Sequence, residues 1–126
     1  MKYGEDAAAL RGDRTRHYNC CQAVLMPFAE RCGITREQAY SMGAHFGGGM
    51  RCGSTCGAVT GGLMVLGLLD RDQGAAGRLM DGFRAKNGVL DCAGLLQNAQ
   101  ARGLDRKTHC DGAVQDAVAL LEEILG

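Results

Sequence analysis

The sequence predicts an all-α protein, a single compact bundle of about five to six helices packed around a glycine-rich central helix. Apolar residues recur at helical spacing, and no segment alternates apolar and polar residues over a useful length. Capping residues precede most of these segments. An apolar stretch carries Gly53, Gly57 and Gly61, whose four-residue spacing places them on one helix face. Helical glycine costs about 1 kcal/mol, so we expect another helix, a partner subunit or an inorganic group to approach this face.

The composition indicates one domain over residues 1–126, with residues 1–13 as a loosely ordered N-terminal arm. A chain of this length can bury a core, and its hydrophobic content of 46% argues against disorder. The formal net charge is +0 and no long run of like charge occurs, so neither nucleic acid nor an anionic membrane is expected as a partner. The short basic cluster of Arg11, Arg14 and Arg16 is expected to be a solvated face.

The chain contains seven cysteines. Its N-terminus has no apolar segment of the kind that directs secretion, so we expect a cytoplasmic location, where thiols stay reduced. The apolar stretch over residues 56–69 is shorter than the roughly 20 residues that span a bilayer, so no membrane insertion is expected. Because a disulfide framework is not expected there, this many cysteines favour metal or redox chemistry.

The first third of the chain is expected to contain a short helix within residues 1–12 and a longer helix after it. Asp13 is the predicted N-cap of the longer helix, which runs over residues 14–31 and stops at Gly33. Pro27 lies inside this helix and removes one backbone hydrogen bond, so we expect a kink one turn earlier. The apolar stripe of this helix is Cys21, Leu25, Phe28 and Cys32.

The middle of the chain begins with a capping box formed by Thr35 and Gln38. The helix that it starts ends in a glycine run at residues 47–49. The central helix is predicted over residues 54–69, which puts Cys56 in its first turn. The first backbone N–H groups of a helix lack partners and the dipole is positive there, so a thiol at this place is expected to shift toward thiolate.

Three further helices are predicted in the last part of the chain. Asp72 starts a helix that ends at residues 87–88, an Asn-Gly pair typical of helix C-termini. Asp91 is the predicted N-cap of a helix over residues 92–101. The last helix is expected from residue 110 or 111 to residue 125. Its core stripe is Val114, Val118, Leu121 and Leu125.

Four cysteines lie in comparable places. Cys56, Cys92 and Cys110 each stand at the start of a predicted helix, and Cys20 lies in the first half of the helix over residues 14–31. We expect these four to converge on one electropositive site, against the alternative of scattered buried thiols.

The other three cysteines have weaker positions. Cys21 and Cys32 belong to the apolar stripe and are expected to pack in the core. Cys52 is ambiguous, since it lies four residues before Cys56 and could share a ligand site with it. His45 and His109 are weaker candidates for the site. A partly buried packing role explains His45 equally well, and a surface position is the favoured interpretation of His109.

The segments YNCCQAVLMPFA, FGGGM, CGAVTGGLMVLGL and DCAGLL, with the late Cys110, resemble the C_GCAxxG_C_C family of redox-active proteins. The resemblance covers nearly the whole chain, and the motif C-G-A-x-x-G corresponds to residues 56–61. It implies that Cys20 is the first family cysteine, and that Cys92 and Cys110 are the last two. It also implies redox chemistry at these four cysteines and a link to transport, because members often lie near transporter genes.

An iron–sulfur cluster is the leading expectation for the four cysteines, because four thiolates are its standard ligand set. Gly57 and Gly61 would let backbone N–H groups approach the cluster sulfurs. The function would then be electron transfer with an unidentified redox partner. Zinc ranks lower, because among the cysteines only Cys52 and Cys56 have the spacing of a zinc knuckle.

Two alternatives stay open. The same four cysteines could act without metal as a thiol/disulfide couple, although the lack of a C-x-x-C motif argues against a thioredoxin-like site. The chain could instead be a non-catalytic metal- or partner-binding module associated with a transporter. A homodimer is also compatible with the sequence, since the glycine face would allow close helix contact.

Overall fold

Seven α-helices lie within residues 2–126, the part of the chain that the computed structural model describes. They are α1 (Lys2–Gly12), α2 (Cys20–Leu25), α3 (Arg36–Gly43), α4 (Gly57–Leu68), α5 (Gln73–Asn87), α6 (Cys92–Ala101) and α7 (Arg106–Leu125). A 3₁₀ turn, Met26–Phe28, follows α2, and a five-residue turn, Gly49–Gly53, precedes α4. The all-α prediction is confirmed, whereas the predicted five to six helices are slightly too few.

The N-terminal helix α1 packs on α2 and α7. Its Ala7 and Leu10 are buried, and Tyr3 stacks on Phe28 with the ring centroids 4.1 Å apart. These contacts explain why a segment of weak helical pattern is helical, since most helical stability in proteins comes from tertiary packing. The predicted short helix near the N-terminus is therefore confirmed, while Met1 lies outside the described residues.

Helix α2 begins later than the sequence predicts, because Asn19 rather than Asp13 caps it. The Asn19 side chain accepts a hydrogen bond from the backbone N–H of Gln22 at 2.8 Å. The Gln22 side chain in turn accepts one from the backbone N–H of Asn19 at 2.8 Å, which completes a capping box. The predicted helix over residues 14–31 is therefore wrong in its start, and Cys20 becomes the first residue of α2.

Replacing Asn19 by alanine is expected to lower the free energy of unfolding by about 2 kcal/mol, the upper part of the range for lost N-caps. The side-chain amide of Asn19 also donates to the carbonyl of Gly43 at 2.9 Å, so the substitution loosens α3 as well. Urea unfolding measures the change. Asp13→Ala is the matched control, because Asp13 is exposed and caps only a local turn. An equal or larger loss in the control would contradict the assignment of the cap.

The predicted kink in this region is replaced by a helix end. Pro27 lies in the 3₁₀ turn Met26–Phe28, which is where α2 stops. Proline lacks a backbone N–H and fits the first positions of such a turn, so it terminates the regular helix instead of bending it. Gly33 then adopts a φ of +77°, a conformation that favours glycine.

The predicted starts of α3, α5 and α6 are confirmed. Thr35 and Gln38 form the expected capping box of α3. Asp72 caps α5 and Asp91 caps α6, each by accepting a hydrogen bond from a backbone N–H in the first turn. These caps depend on residues three positions apart, so the sequence alone was sufficient to place them.

Helix α7 begins one turn earlier than predicted. Asp105 is its N-cap and accepts a hydrogen bond from the backbone N–H of Thr108 at 2.7 Å. Cys110 therefore lies in the second turn of α7 and not at its start, which corrects the sequence-based position. The predicted core stripe of this helix is confirmed, since its members Val114, Val118, Leu121 and Leu125 are buried.

Helix α4 contacts α2, α5 and α7, and α2 is its most extensive neighbour. It begins at Gly57, later than the predicted Ser54, with Cys56 as the N-cap. Its glycine face lies against α2, where a Cβ atom at Gly61 would come within 2.7 Å of the carbonyl oxygen of Cys21. Of the expected neighbours of the glycine face, it is therefore a helix, α2, that approaches Gly61. Within residues 2–126, no helix has both the length and the apolar character that a bilayer crossing requires.

Candidate functional site

Four cysteines line one cavity of about 870 Å³ at one end of the bundle. Cys20 and Cys92 are the first residues of α2 and α6, and Cys56 is the N-cap of α4. Cys110 reaches the same cavity from the second turn of α7. The structure therefore brings together, from four separate helices, the four cysteines that the sequence singles out.

A short backbone bridge fixes Cys56 beside Cys92. Thr55 and Asp91 form an isolated antiparallel bridge between the segment before α4 and the segment before α6. The backbone N–H of Cys56 donates to the carbonyl of Leu90 at 2.8 Å, and that of Cys92 donates to the carbonyl of Ser54 at 2.6 Å. Because each cysteine supplies a hydrogen bond of the bridge, both side chains are placed by backbone geometry.

The glycine run closes over this bridge in a left-handed backbone conformation. Gly49 has a φ of +65°, and a Cβ atom there would lie 2.6 Å from the Cβ of Cys92. The two following residues, Met50 and Arg51, also have positive φ values, 59° and 66°. Left-handed backbone costs about 1–2 kcal/mol at a residue other than glycine, so the surrounding contacts must hold it. This turn places Arg51 at the cavity.

Cys20 and Cys110 lie in the same cavity, and each shifts the pKa of the other. Interaction with the Cys20 thiol lowers the pKa of Cys110 to about 6; burial opposes this shift, and the positive charges of Arg11 and Arg106 reinforce it. The pKa of Cys20 is raised, first by the same interaction and then by burial. The opposite directions of the two shifts favour the proton on Cys20 and the negative charge on Cys110.

The other two cavity cysteines are protonated thiols. Burial raises the pKa of Cys56 to about 11, although hydrogen bonds from the backbone N–H groups of Ala58 and Val59 lower it. Burial also raises the pKa of Cys92. The expectation that these helix starts favour thiolate is therefore wrong for Cys56 and Cys92, because desolvation outweighs the helix terminus. Cys110 has a lowered pKa, but it lies in the second turn of α7, and Cys20, Arg11 and Arg106 cause the shift instead of a helix start.

Cationic side chains surround the cysteines. The cations that line the cavity are Arg11, Arg51, Arg106 and Lys107, and the histidines His17, His45 and His109 line it as well. Arg11 and Lys107 share the carboxylate of Asp111, at 2.8 and 2.9 Å. Among the described lining residues Asp13 supplies the opposing carboxylate. The wall of the cavity therefore carries more positive than negative charge.

Arg11 corrects one sequence-based expectation. Its side chain is only 12% exposed, and it donates to the carbonyl of Tyr18 at 2.9 Å, so it is not part of a solvated face. Arg16 from the same cluster stacks on Tyr40, with its guanidinium carbon 3.6 Å from the ring centroid. These positions arise from the packing of α1 and of the α1–α2 connection, which charge pattern alone does not reveal.

Arg106 was also missed, although the sequence contains a signal for it. Asp105 and Thr108 have the spacing of an N-cap and the residue whose N–H it accepts. A helix that starts there places Arg106 four residues before Cys110 on the same face. Recognising the earlier cap would thus have paired this arginine with the thiol.

The remaining cysteines lie outside the cavity lining. Cys21 is buried and its thiol contacts the sulfur of Met64 at 3.9 Å, and Cys32 contacts the carbonyl of Val65 at 3.9 Å. Cys52 is exposed and contacts the carbonyl of Gly49 at 3.6 Å. The two predicted cofactor-binding glycines also differ in position: Gly57 lines the cavity, whereas Gly61 faces α2.

The donor set does not fit a metal ion in the arrangement observed. Within residues 2–126, no group of three or more histidine, cysteine, aspartate or glutamate side chains is close enough to hold one. Four thiols share the cavity, and an iron–sulfur cluster would need all four of them as ligands of one cluster.

Comparison with known families gives one match. A family model described as "Putative redox-active protein (C_GCAxxG_C_C)" matches residues 18–124. Neither the curated proteins nor the solved structures contain a significant match. The matched range contains all four cavity cysteines and helices α2 to α6 in full.

Proposed function

Because the chain belongs to the C_GCAxxG_C_C family of redox-active proteins, we propose that Cys20 and Cys110 are its redox pair and cycle between dithiol and disulfide. The observation that carries the proposal is the placement of Cys20 and Cys110 in one cavity with Arg11 and Arg106, whose positive charges favour the Cys110 thiolate. It joins a nucleophile to a neighbouring thiol, the arrangement that thiol–disulfide exchange requires.

In this proposal the dithiol of the protein gives up two electrons, and an external disulfide accepts them. The Cys110 thiolate attacks one sulfur of the external disulfide, forms a mixed disulfide and releases one thiolate. The Cys20 thiol gives its proton to a departing thiolate, attacks the sulfur of Cys110 and displaces the second thiol. One disulfide bond breaks and one forms, so the protein is oxidised by two electrons and the partner is reduced by two.

Cys56 and Cys92 have a different role in this proposal. Their raised pKa values keep them protonated, and therefore poor nucleophiles, at neutral pH. They remain reduced while the Cys20–Cys110 pair cycles, and they line the cavity together with Gly57.

Mild oxidation followed by alkylation and peptide mapping tests this proposal. We expect a disulfide that links Cys20 to Cys110 in the wild type and that is lost in both Cys20→Ser and Cys110→Ser. Cys52→Ser is the matched control, because Cys52 is exposed and lies outside the cavity lining, and it should keep the disulfide. A disulfide between other cysteines in the wild type would overturn the assignment.

An iron–sulfur protein is the second candidate, favoured by the placement of four cysteines around one cavity. Anaerobic purification with iron and acid-labile sulfide counted per chain separates the two candidates. A coloured protein with matching iron and sulfide, whose colour is lost in Cys56→Ser, would replace the dithiol proposal. A colourless protein after anaerobic reconstitution, with a reversible Cys20–Cys110 disulfide, would support it.

A further inference from the structure

We propose that the substrates of this cavity are small disulfides that carry carboxylate groups, and that Arg51 and Arg106 bind those carboxylates. The inference rests on the proposed dithiol function and specifies its substrate class. The observation behind it is a pair of guanidinium groups at the cavity that lack carboxylate partners in the described part of the chain.

The arginines and lysine of the cavity fall into two groups. Arg11 and Lys107 are neutralised in part by Asp111, to which both donate. Arg51 and Arg106 form no ion pair with any carboxylate of residues 2–126; Arg51 contacts the ring of His45 at 3.4 Å. Both side chains are exposed, so they meet solvent at the mouth and are available to an anion.

Arg106 connects the anion site with the reacting sulfur. It lies one helical turn before Cys110, lines the same cavity, and its positive charge lowers the pKa of that thiol. It also lies over the glycine run, 3.8 Å from the position of a Cβ atom at Gly48. A larger residue in the glycine run would narrow the path by which a substrate reaches Cys110, whereas glycine leaves that path open. A carboxylate held by Arg106 therefore brings the disulfide of the same molecule to Cys110.

The backbone of the Gly49–Gly53 turn is a second, independent observation. Met50 and Arg51 keep left-handed φ values that cost free energy at residues with a Cβ. Met50 is also 47% exposed, so burial of its side chain does not offset this cost. Strained backbone of this kind concentrates at ligand-binding sites. In this protein the strained turn places Arg51 in the lining of the cavity.

The size and charge of the cavity agree with this substrate class. A volume of about 870 Å³ is at the upper end of the range for small-molecule sites. Guanidinium groups bind carboxylates through paired hydrogen bonds, which fixes orientation as well as charge. Clefts lined by one sign of charge raise association rates of the opposite charge by about 10 to 10³-fold. Neutral and cationic disulfides of equal length would not associate faster because of this positively charged wall.

Reaction of the reduced full-length protein with three small disulfides tests the inference. The probes are dithiodipropionate, a dianion; bis(hydroxyethyl) disulfide, which is neutral; and cystamine, a dication. The readouts are the rate of reaction and the mapped Cys20–Cys110 disulfide. At low salt we expect the dianion to react at least about tenfold faster than the neutral probe, and the dication to be slowest. The preference should shrink as salt shortens the screening length.

The variants separate binding from simple activation of the thiolate. Arg51→Gln and Arg106→Gln should each reduce the dianion-to-neutral rate ratio toward one, and Arg51→Lys should restore part of it. A role of Arg106 confined to stabilising the thiolate would lower all three rates together and leave the ratio unchanged. Arg71→Gln is the matched control, because Arg71 is exposed and lies outside the cavity lining.

The outcomes also separate this inference from the proposed function. If the three probes all form the Cys20–Cys110 disulfide at rates within about twofold, the dithiol function stands and the substrate class is wrong. The same holds if the preference for the dianion persists in the Arg51→Gln, Arg106→Gln double variant. If no probe forms that disulfide in a folded protein, both the dithiol function and the substrate class are overturned.

Discussion

Replacing Gly61 by alanine is expected to lower the free energy of unfolding by about 3 kcal/mol, the upper part of the usual range for overpacked cores. A Cβ atom there would lie 2.7 Å from the carbonyl oxygen and 3.3 Å from the Cα of Cys21. Because both are backbone atoms, no side-chain rotation relieves the contact, and α2 must move away from α4. Urea unfolding followed by circular dichroism measures the change.

Gly67→Ala in the same helix is the matched control, and we expect the opposite sign. A Cβ atom at Gly67 meets nothing within 4 Å, so alanine adds helix propensity worth about 1 kcal/mol without a clash. The Gly61 variant should also oxidise more slowly, since α2 carries Cys20 at its first position. Equal stability of both variants would mean that the close approach of α2 and α4 is not the reason for glycine at position 61.

Cys110 is expected to be the fastest-reacting cysteine at neutral pH, with an alkylation rate that rises through about pH 6 and then levels off. At pH 7 a thiol with this pKa is about nine-tenths thiolate, whereas one at the ordinary value is about one-hundredth thiolate. Below pH 6 the rate should fall tenfold per pH unit, because the protonated thiol is not the nucleophile. Alkylation with iodoacetamide at several pH values and mass spectrometry of the Cys110 peptide measure this profile.

Two substitutions of Cys20 identify the cause of the low pKa. Cys20→Ser keeps a hydroxyl donor for the Cys110 thiolate, so the midpoint should stay near its wild-type position. Cys20→Ala removes the donor that is the largest cause of the shift, so the midpoint should move up toward the ordinary value of 9.0. Coinciding profiles of the two variants would contradict the hydrogen bond from Cys20 as the origin of the reactive thiolate.

The caps show how far local sequence determines this fold. Thr35, Asp72 and Asp91 were placed correctly because each acts on a backbone N–H three residues away. Asp13 and Asn19 are both suitable caps, and local sequence did not choose between them. The choice follows from the contact of the Asn19 amide with the carbonyl of Gly43, a residue distant in the chain.

The candidate site also divides into features that local sequence predicts and features that depend on tertiary contacts. The sequence identified Cys20, Cys56, Cys92 and Cys110, since residue type and motif are local properties. It did not give their protonation states, because desolvation depends on what surrounds each thiol. Helix starts were expected to favour thiolate, yet burial raises the pKa of Cys56 and Cys92. Only the positions of Cys20 and the arginines make Cys110 the thiolate.

The sequence by itself therefore determined the helical class, most helix boundaries and the identity of the four cysteines. Each of these depends on periodicity, on capping or on a motif within a few residues. The tertiary structure decided that Cys20, Cys56, Cys92 and Cys110 line one cavity, and which cations line it with them. These placements depend on the packing of α1, α2 and α7, whose residues Arg11, Cys20 and Cys110 are separated along the chain and meet only through packing.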